Sequence, residues 1–600
     1  MKHYTIHFQP DDVRTVIHRG ATLLEAAEQA GIILNTPCAG GGRCGKCKVK
    51  LLPSNKDVQA CSYMIERDLE VYVYETSRFY RQQILEHGIE HRAPIDPAVK
   101  KISLKGPFSG PDEFCERLSS ELKEYIVIPE ETGAALDTLE WTGKTLDAVL
   151  VFRDSPAMPR ESQRFCLTAV EQTGIRSDWY GAAVDIGTTS IVARLVNLET
   201  GQVCATVSCS NPQARFGADV ISRISHGSTE AGLQELHTCI AACLNALTER
   251  AAQSAGIHAN DIYEIVAAGN TTMSHLLLNL PVRQLGQAPY RAYSLLETNC
   301  SPSELGIRIN PSGNIYVMPN IAGFVGSDTV AAALACELDT SSTGTLLVDI
   351  GTNGEIVLAS KGQILAASCA AGPALEGAGI EFGSRAQAGA IQRVIFSQDQ
   401  LDVDVIEGGR PTSLCGSGLI DAVAVLLETG VIDSSGRFAD AEELPPFLPK
   451  AIRKRIIEYG NAPAFVLSGI CKEGVWENAV VLTQKDIRQF QLAKAAIHTG
   501  IQIMLKELNL KMSDLQKLLL AGAFGNYIRR ENAVRTGLLP NIPIDRIHFV
   551  GNAAGTGAEM VLISRQARAR AVQLAREIKY LEIANKLEFQ SVFAENLLFP

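Results

Sequence analysis

The chain has 600 residues, a formal net charge of −11, 46% hydrophobic and 20% charged residues. That length exceeds one hydrophobic core and predicts three or four domains. The acidic balance argues against a nucleic-acid partner and leaves no broad basic face for a membrane surface.

No apolar run reaches the roughly 18 residues needed to cross a bilayer. The opening MKHYTIHFQP alternates polar and apolar residues and lacks the basic-then-apolar form of a signal peptide, so a cytoplasmic location is expected. Tyr4–Gln9 and Val13–His18 read as two strands joined at Asp11-Asp12. Thr22 starts a helix, and Glu25 completes a capping box with it. A glycine-rich cysteine loop follows, then short strands at Val49–Leu52 and Leu69–Tyr74. This order predicts a β-grasp domain over residues 1–80.

Cys38, Cys44, Cys47 and Cys61 are spaced C-x5-C-x2-C-x13-C, a near variant of the plant-type ferredoxin pattern. Thiolates on such a loop suit a [2Fe–2S] cluster, because glycine lets backbone N–H groups approach the sulfurs. Arg43, Lys46 and Lys48 add positive charge beside them. Zinc is the other reading, but structural zinc usually takes two C-x2-C knuckles and only one is present here. Cys61 follows by a shorter gap than a ferredoxin has, which makes it the weakest of the four assignments. The remaining cysteines sit among apolar residues and read as reduced, buried thiols.

Residues 81–178 carry no chemical motif and read as a linker or docking domain. From Trp179 onward an internal repeat appears. GAAVDIGTTSIVARLVNLETGQV starts at Gly181, and GTLLVDIGTNGEIVLASKGQIL starts at Gly344. Both copies run strand, Asp-Ile-Gly-Thr, strand, polar turn, strand. Two similar subdomains, 179–342 and 343–600, are expected.

Each DIGT element ends an apolar strand on an acidic residue and then turns on glycine. Backbone N–H groups in such a turn cradle phosphate, and threonine hydroxyls add to them. Asp185 and Asp349 would face Mg²⁺ through water, as hard oxygen ligands. LLLAGAFGNYI, from Leu518, and GNAAGTGAEM, from Gly551, are further strand-to-turn elements. LCGSGLIDAVAVLLETG places Gly416 and Gly418 at a helix start that would attract an anion. No GxxxxGK[ST] element is present, so this is not a P-loop chain.

The order DIGTT, DIGTNGE, AGAFG resembles the acetate/sugar-kinase, actin and chaperone ATPase superfamily. The whole plan resembles the reductive activators of corrinoid proteins, including NPQARFGADVISRI (211–224), AAGNTTMSHLLL (267–278), CAAGPALEGAGI (369–380) and LTQKDIRQFQLAKAAI (482–497). No cysteine lies in 564–600, so the chain is similar to the branch with a single cluster.

The resemblance implies an α/β multidomain fold. It has a [2Fe–2S] ferredoxin-like β-grasp domain, a linker domain and a duplicated ribonuclease-H-like, actin/sugar-kinase-type ATPase body. It implies ATP-dependent return of one electron to a Co(II) corrinoid protein, giving Co(I) for methyl transfer. The implied cofactors are the cluster on Cys38, Cys44, Cys47 and Cys61, ATP and Mg²⁺. Asp185, Gly187, Thr188, Thr189, Asp349, Gly351, Thr352, Asn353, Gly522 and Gly525 would bind nucleotide. Asp185, Asp349 and Glu355 would serve catalysis. Gln213, Asp219 and Glu355 are candidates for positioning Mg²⁺ or water, with packing roles equally open. The partners would be a corrinoid protein of a methyltransferase or O-demethylase system and a low-potential electron donor, and a homodimer is compatible. The competing functions are an ATP-driven donor to a non-corrinoid metalloenzyme and a small-molecule kinase with an accessory ferredoxin domain.

Overall fold

The computed structural model describes residues 3–10, 12–30, 32, 34, 45–74, 77, 93–124, 126–137, 139, 141, 145–153, 164–172, 178–351, 353–397, 399–522 and 528–600. The first unit is a five-stranded sheet, in the order Val13–His18, His3–Gln9, Leu69–Val73, Lys48–Leu52, Lys56–Gln59. His3–Gln9 and Leu69–Val73 run parallel at its centre, as in a β-grasp. The helix Leu23–Gln29 starts where the capping box predicts. Thr22 N donates to Glu25 Oε2 at 2.6 Å, and Glu25 N donates to Thr22 Oγ1 at 3.2 Å. Ile6, Phe8, Leu23, Ala27, Val49 and Val71 close the core. The strand Lys56–Gln59 was not expected, since KDVQ carries almost no apolar alternation.

The next unit is a four-stranded sheet, in the order Val99–Lys105, Thr145–Arg153, Arg164–Gln172, Ile126–Val127, backed by the helix Pro111–Leu122. Phe108, Phe114, Leu118, Leu146 and Phe165 give it a core of its own. Among the described residues, it rests on the rest of the chain through contacts that include two polar anchors. Tyr263 Oη donates to Glu171 at 2.8 Å. Arg565 pairs with Asp96 at 2.8 Å and with Glu124 at 3.0 Å.

The body is built twice on one plan. In the first half Tyr180–Ile186 pairs antiparallel with Ser190–Asn197, which pairs antiparallel with Val203–Ser210; on its other side lie Ile262–Gly269 and then Asn314–Val317, both parallel. In the second half Gly344–Ile350, Gly354–Ser360 and Gln363–Cys369 repeat the antiparallel trio, with Leu515–Ala521 and Ile547–Gly551 parallel beside them. The central parallel strand Ile262–Gly269 is buried along its whole length, which explains its unbroken run of apolar and small residues around Glu264.

One apolar core joins the halves. Ala183, Val196 and Val266 from the first sheet and Leu347, Val357 and Leu519 from the second pack around the helices Ser327–Ala335 and Ala553–Ile563. These helices cross so closely that a Cβ on Gly557 would stand 2.0 Å from the Ala331 carbonyl oxygen. Glu264 and Arg568, from opposite halves, form a fully buried ion pair at 2.8 Å. Among the described residues no helix is long and apolar enough to cross a membrane.

Candidate functional site

Cys47 immediately precedes the strand Lys48–Leu52, whose partner strand ends at Gln59. The register pairs Lys48 with Gln59, and Ala60 N donates to the Cys47 carbonyl at 2.9 Å. The 13 residues between Cys47 and Cys61 are therefore largely a β-hairpin, and its open end sets the two thiols side by side. Their sulfurs stand 3.4 Å apart, longer than a disulfide. Two thiolates on one tetrahedral metal at about 2.3 Å would lie about 3.8 Å apart, whereas a disulfide closes to about 2.05 Å. This donor pair fits a thiolate-bound metal. Cys38, Cys44 and Arg43 lie outside the described residues. Lys48 pairs with Asp57 at 3.5 Å.

The two DIGT turns stand at equivalent strand ends in the two halves. Asp185 and Asp349 are half-buried, and each is close enough to share its field with the other. Burial first, and then the neighbouring Asp328, push Asp185 up to about 7, although Asn552 donates to it. Burial, Asp328 and Asp185 push Asp349 up to about 7. Asp328 rises to about 6 through burial. Glu355, on the strand after the second turn, rises well above the ordinary range through burial and the charges of Asp328 and Asp349. Four carboxyl groups from both halves thus share one space, and their repulsion calls for positive charge. Among the described residues no three His, Cys, Asp or Glu side chains stand close enough to hold a metal ion alone. Mg²⁺ suits such a site, since it keeps most of its waters and takes one or two carboxylates together with phosphate oxygens.

The turn residues are fixed from behind. Asn211 Nδ2 donates to the Gly187 carbonyl at 2.8 Å, and Asn211 N donates to the Thr189 carbonyl at 2.8 Å. Thr188 Oγ1 accepts from Asn270 Nδ2 at 2.9 Å, and its carbonyl accepts from the buried Arg223 at 2.5 Å. Thr189 Oγ1 donates to Glu376 of the second half at 3.2 Å. In the second turn Gly351 N donates to the Asn353 carbonyl at 3.1 Å. Gly522 has φ +93°, and a Cβ there would stand 2.5 Å from Asp349 Oδ1, so only glycine lets this backbone pass. Thr352 and Gly525 lie outside the described residues.

Gln213 and Asp219 make packing and capping contacts. Gln213 is fully buried and donates to the Leu236 carbonyl at 3.0 Å. Asp219 is the N-cap of the helix Val220–His226, accepting from Ser222 N at 2.8 Å. The helix opened by Gly416 is buried from its first residue, and Ser417 Oγ donates to the Gln392 carbonyl at 2.9 Å. GNAAGTG joins the site through Asn552, which caps the helix Ala553–Ile563 at Gly555 N (2.6 Å) and touches Asp185.

Asp328 was missed by sequence reasoning. It follows IAGFVGS at the start of the helix Ser327–Ala335 and belongs to no repeat. The available signal was an apolar strand, Asn314–Val317, followed by a glycine turn and an acidic residue, as in the other phosphate-type turns.

Residues 343–600 match the C-terminal ASKHA domain of RACo, 180–341 the RACo middle region, and 6–70 the 2Fe-2S iron–sulfur cluster binding domain. Over 590 residues the chain is 33% identical to the corrinoid activation enzyme RamQ of Eubacterium limosum, covering 95% of this chain and 94% of that relative. Over 433 residues it is 25% identical to the Co(II) methylated amine-specific corrinoid protein reductase of Methanosarcina barkeri, covering 66% and 73%. The solved structure of a reductive activator for a corrinoid, iron–sulfur protein superposes with a TM-score of 0.73 at 31% identity, covering 100% of this chain and 98% of that one.

Proposed function

The chain belongs to the family of reductive activators of corrinoid proteins, and from that premise we propose that it couples ATP to the return of one electron to a corrinoid protein. The cobalt goes from Co(II) to Co(I), and ATP and water become ADP and phosphate. The carrying observation is that one chain joins a thiol pair 3.4 Å apart to a body with matched acidic turns facing each other.

Cys47 and Cys61, with Cys38 and Cys44 assigned from spacing, hold the [2Fe–2S] cluster. When bound, the cluster supplies a one-electron donor, near roughly −400 mV for plant-type clusters. The apolar hairpin base keeps Cys47 buried and leaves Cys61 half-exposed. A low-potential donor outside the chain reloads the cluster.

Asp185, Asp328 and Asp349 hold Mg²⁺ through water. The backbone of Gly187–Thr189 and of 351–353 receives the phosphates, and Gly522 gives the adenosine element its close approach. Glu355 orients the attacking water. Bound there, Mg²⁺ would supply the positive charge that the carboxyl groups of Asp185, Asp328, Asp349 and Glu355, from both halves, call for.

The test mixes the protein with its Co(II) corrinoid partner, a reductant and Mg-ATP, and follows Co(I) absorbance. Wild type forms Co(I) only with ATP. Asp349→Asn keeps the cluster spectrum and loses the ATP effect; a variant that activates at the wild-type rate would overturn the assignment of the second turn.

A further inference from the structure

Lys46, next to Cys47 in sequence, reaches into the second half of the body. Its Nζ meets the carbonyl oxygens of Ile380, Glu381 and Gly383 in the second half of the body, at 2.5, 3.3 and 3.4 Å. An ammonium carries three donors, so three converging carbonyls suit it as a cradle.

The cradle is stiff. A Cβ on Gly383 would stand 2.2 Å from the Gly377 carbonyl oxygen, and one on Gly377 would stand 2.4 Å from Ser384 N, so the two ends of the loop are in backbone contact. Asp486 Oδ1 accepts from Glu381 N at 2.8 Å. Ser384 N donates to the Leu414 carbonyl at 2.9 Å, and Leu414 N to the Phe382 carbonyl at 2.8 Å. The loop therefore moves with the second half as one piece.

The same loop reaches the nucleotide turns. Glu376 sits on the short turn Pro373–Glu376 and accepts from Thr189 of the first half. Arg385 and Arg223 lie in the same field and hold charge around that contact. Phosphate entering between the turns competes for the Thr189 hydroxyl and repels the Glu376 carboxylate. The contact that changes with nucleotide thus lies only four residues before the cradle that grips Lys46.

We propose that Lys46 is a positioning residue that latches the cysteine hairpin to the second half of the body, beside the mouth of the nucleotide site, so that movement of the halves is carried directly to the cluster. The inference rests on the nucleotide reading above and adds the mechanical link between ATP and electron. The hairpin rides on the loop 377–384 and shifts relative to the first half when nucleotide binds.

Two cysteines that the sequence reads as buried, Cys204 on the first half and Cys471 on the second, are exposed in the structure and provide label positions. Cluster-loaded full-length protein carries a nitroxide at one of them, with the other replaced by Ser. Pulsed EPR then reads the distance from the reduced cluster to the label. Without nucleotide, wild type gives a narrow distribution to Cys471, and Lys46→Arg, which keeps charge and donors, stays narrow. Lys46→Ala lowers the docked population about ten- to a hundredfold, the scale of a charge-assisted hydrogen bond, and the distribution broadens. Its visible cluster spectrum shows that the hairpin is still folded. A bound non-hydrolysable ATP analogue shifts the wild-type distance to Cys204 and leaves the distance to Cys471 in place.

An unchanged narrow distribution in Lys46→Ala would refute the latch. Analogue that binds by calorimetry yet leaves both distances unmoved would refute the coupling while sparing the nucleotide reading. Analogue that fails to bind would overturn that reading and the coupling with it, and the nucleotide-free comparison alone then decides the latch.

Discussion

Asp349→Asn should make the nucleotide-free protein more stable and should gain far less from bound nucleotide than wild type does. Asp349 titrates near 7 in the folded chain, held up by burial and by the charges of Asp328 and Asp185, against an ordinary value of 3.8. Between those two pH values the folded chain binds a proton that the unfolded chain has released. Stability therefore falls as pH rises through that window, and the loss is complete above about pH 7. At 1.36 kcal/mol per pH step, the ionised side chain costs at most about 4 kcal/mol at pH 8.5 and about half of that at pH 5.5. Asparagine keeps the shape and removes the charge. Each kcal/mol moves the melting midpoint of a unit of 150–250 residues by about 2–4 °C. Thermal melts in EDTA should therefore show Asp349→Asn several degrees above wild type at pH 8.5, with a smaller gain at pH 5.5. With Mg²⁺ and ATP analogue at a hundred times its Kd, wild type gains about 2.7 kcal/mol and the variant little, so the variant's advantage should shrink by more than half at pH 8.5 and vanish at pH 5.5. A variant that melts below wild type at pH 8.5 in EDTA, or whose gain is equal at both pH values, would refute the crowded-carboxylate reading.

Gly522→Ala forces a side chain into left-handed backbone, at roughly 1–2 kcal/mol, and drives its Cβ against Asp349; analogue affinity should fall at least about tenfold while the EPR signal of the reduced cluster persists, and unchanged affinity would separate Gly522 from the nucleotide. Cys61→Ser should abolish or deplete the dithionite-reduced S = ½ signal without altering analogue binding. A full wild-type signal would move the fourth ligand elsewhere. Arg568→Met leaves Glu264 charged and buried without its ion-pair partner, and urea denaturation should show a loss of about 3–5 kcal/mol, largely recovered when Glu264→Gln is added. A single variant with the wild-type midpoint would show that the pair does not fasten the halves.

The fold class was legible because its signals are local. Each DIGT copy is a contiguous strand–turn–strand, and the alternation in Tyr4–Gln9 and Val13–His18 lies within single strands, so one window of sequence holds the whole element. What escaped the sequence is set by long-range contact. The Lys56–Gln59 strand is too polar to announce itself and exists because Lys48–Leu52 pairs with it. That hairpin makes the 13-residue gap before Cys61 a natural distance rather than a short one. Asp328 joins the carboxyl cluster only when the helix Ser327–Ala335 is packed against the strand ends of both halves. Gln213 and Asp219 lie in a stretch that resembles the family, but there the residue types served a buried hydrogen bond and a helix cap. Lys46 looked like a countercharge for the cluster because its neighbours in sequence are cysteines, and its acceptors are more than 330 residues away.

The placement of charge and apolar surface gives the direction of any movement between the halves. The end fastened by Ala183, Val266, Leu347 and Val561 is dry, and it is pinned by the Glu264–Arg568 pair. That end resists separation, because opening it would expose apolar surface and strand buried charges. The other end holds Asp185 and Asp328 on one side and Asp349 and Glu355 on the other, and their like charges favour opening until a cation arrives. A hinged body moves least at its fastened end and most at its charged lip. Glu376, the cradle at 380–383 and the Lys46 latch all belong to that lip. A small change of angle, driven by neutralising a few carboxylates, would therefore be largest at that lip, where the proposed Lys46 latch attaches the cysteine hairpin.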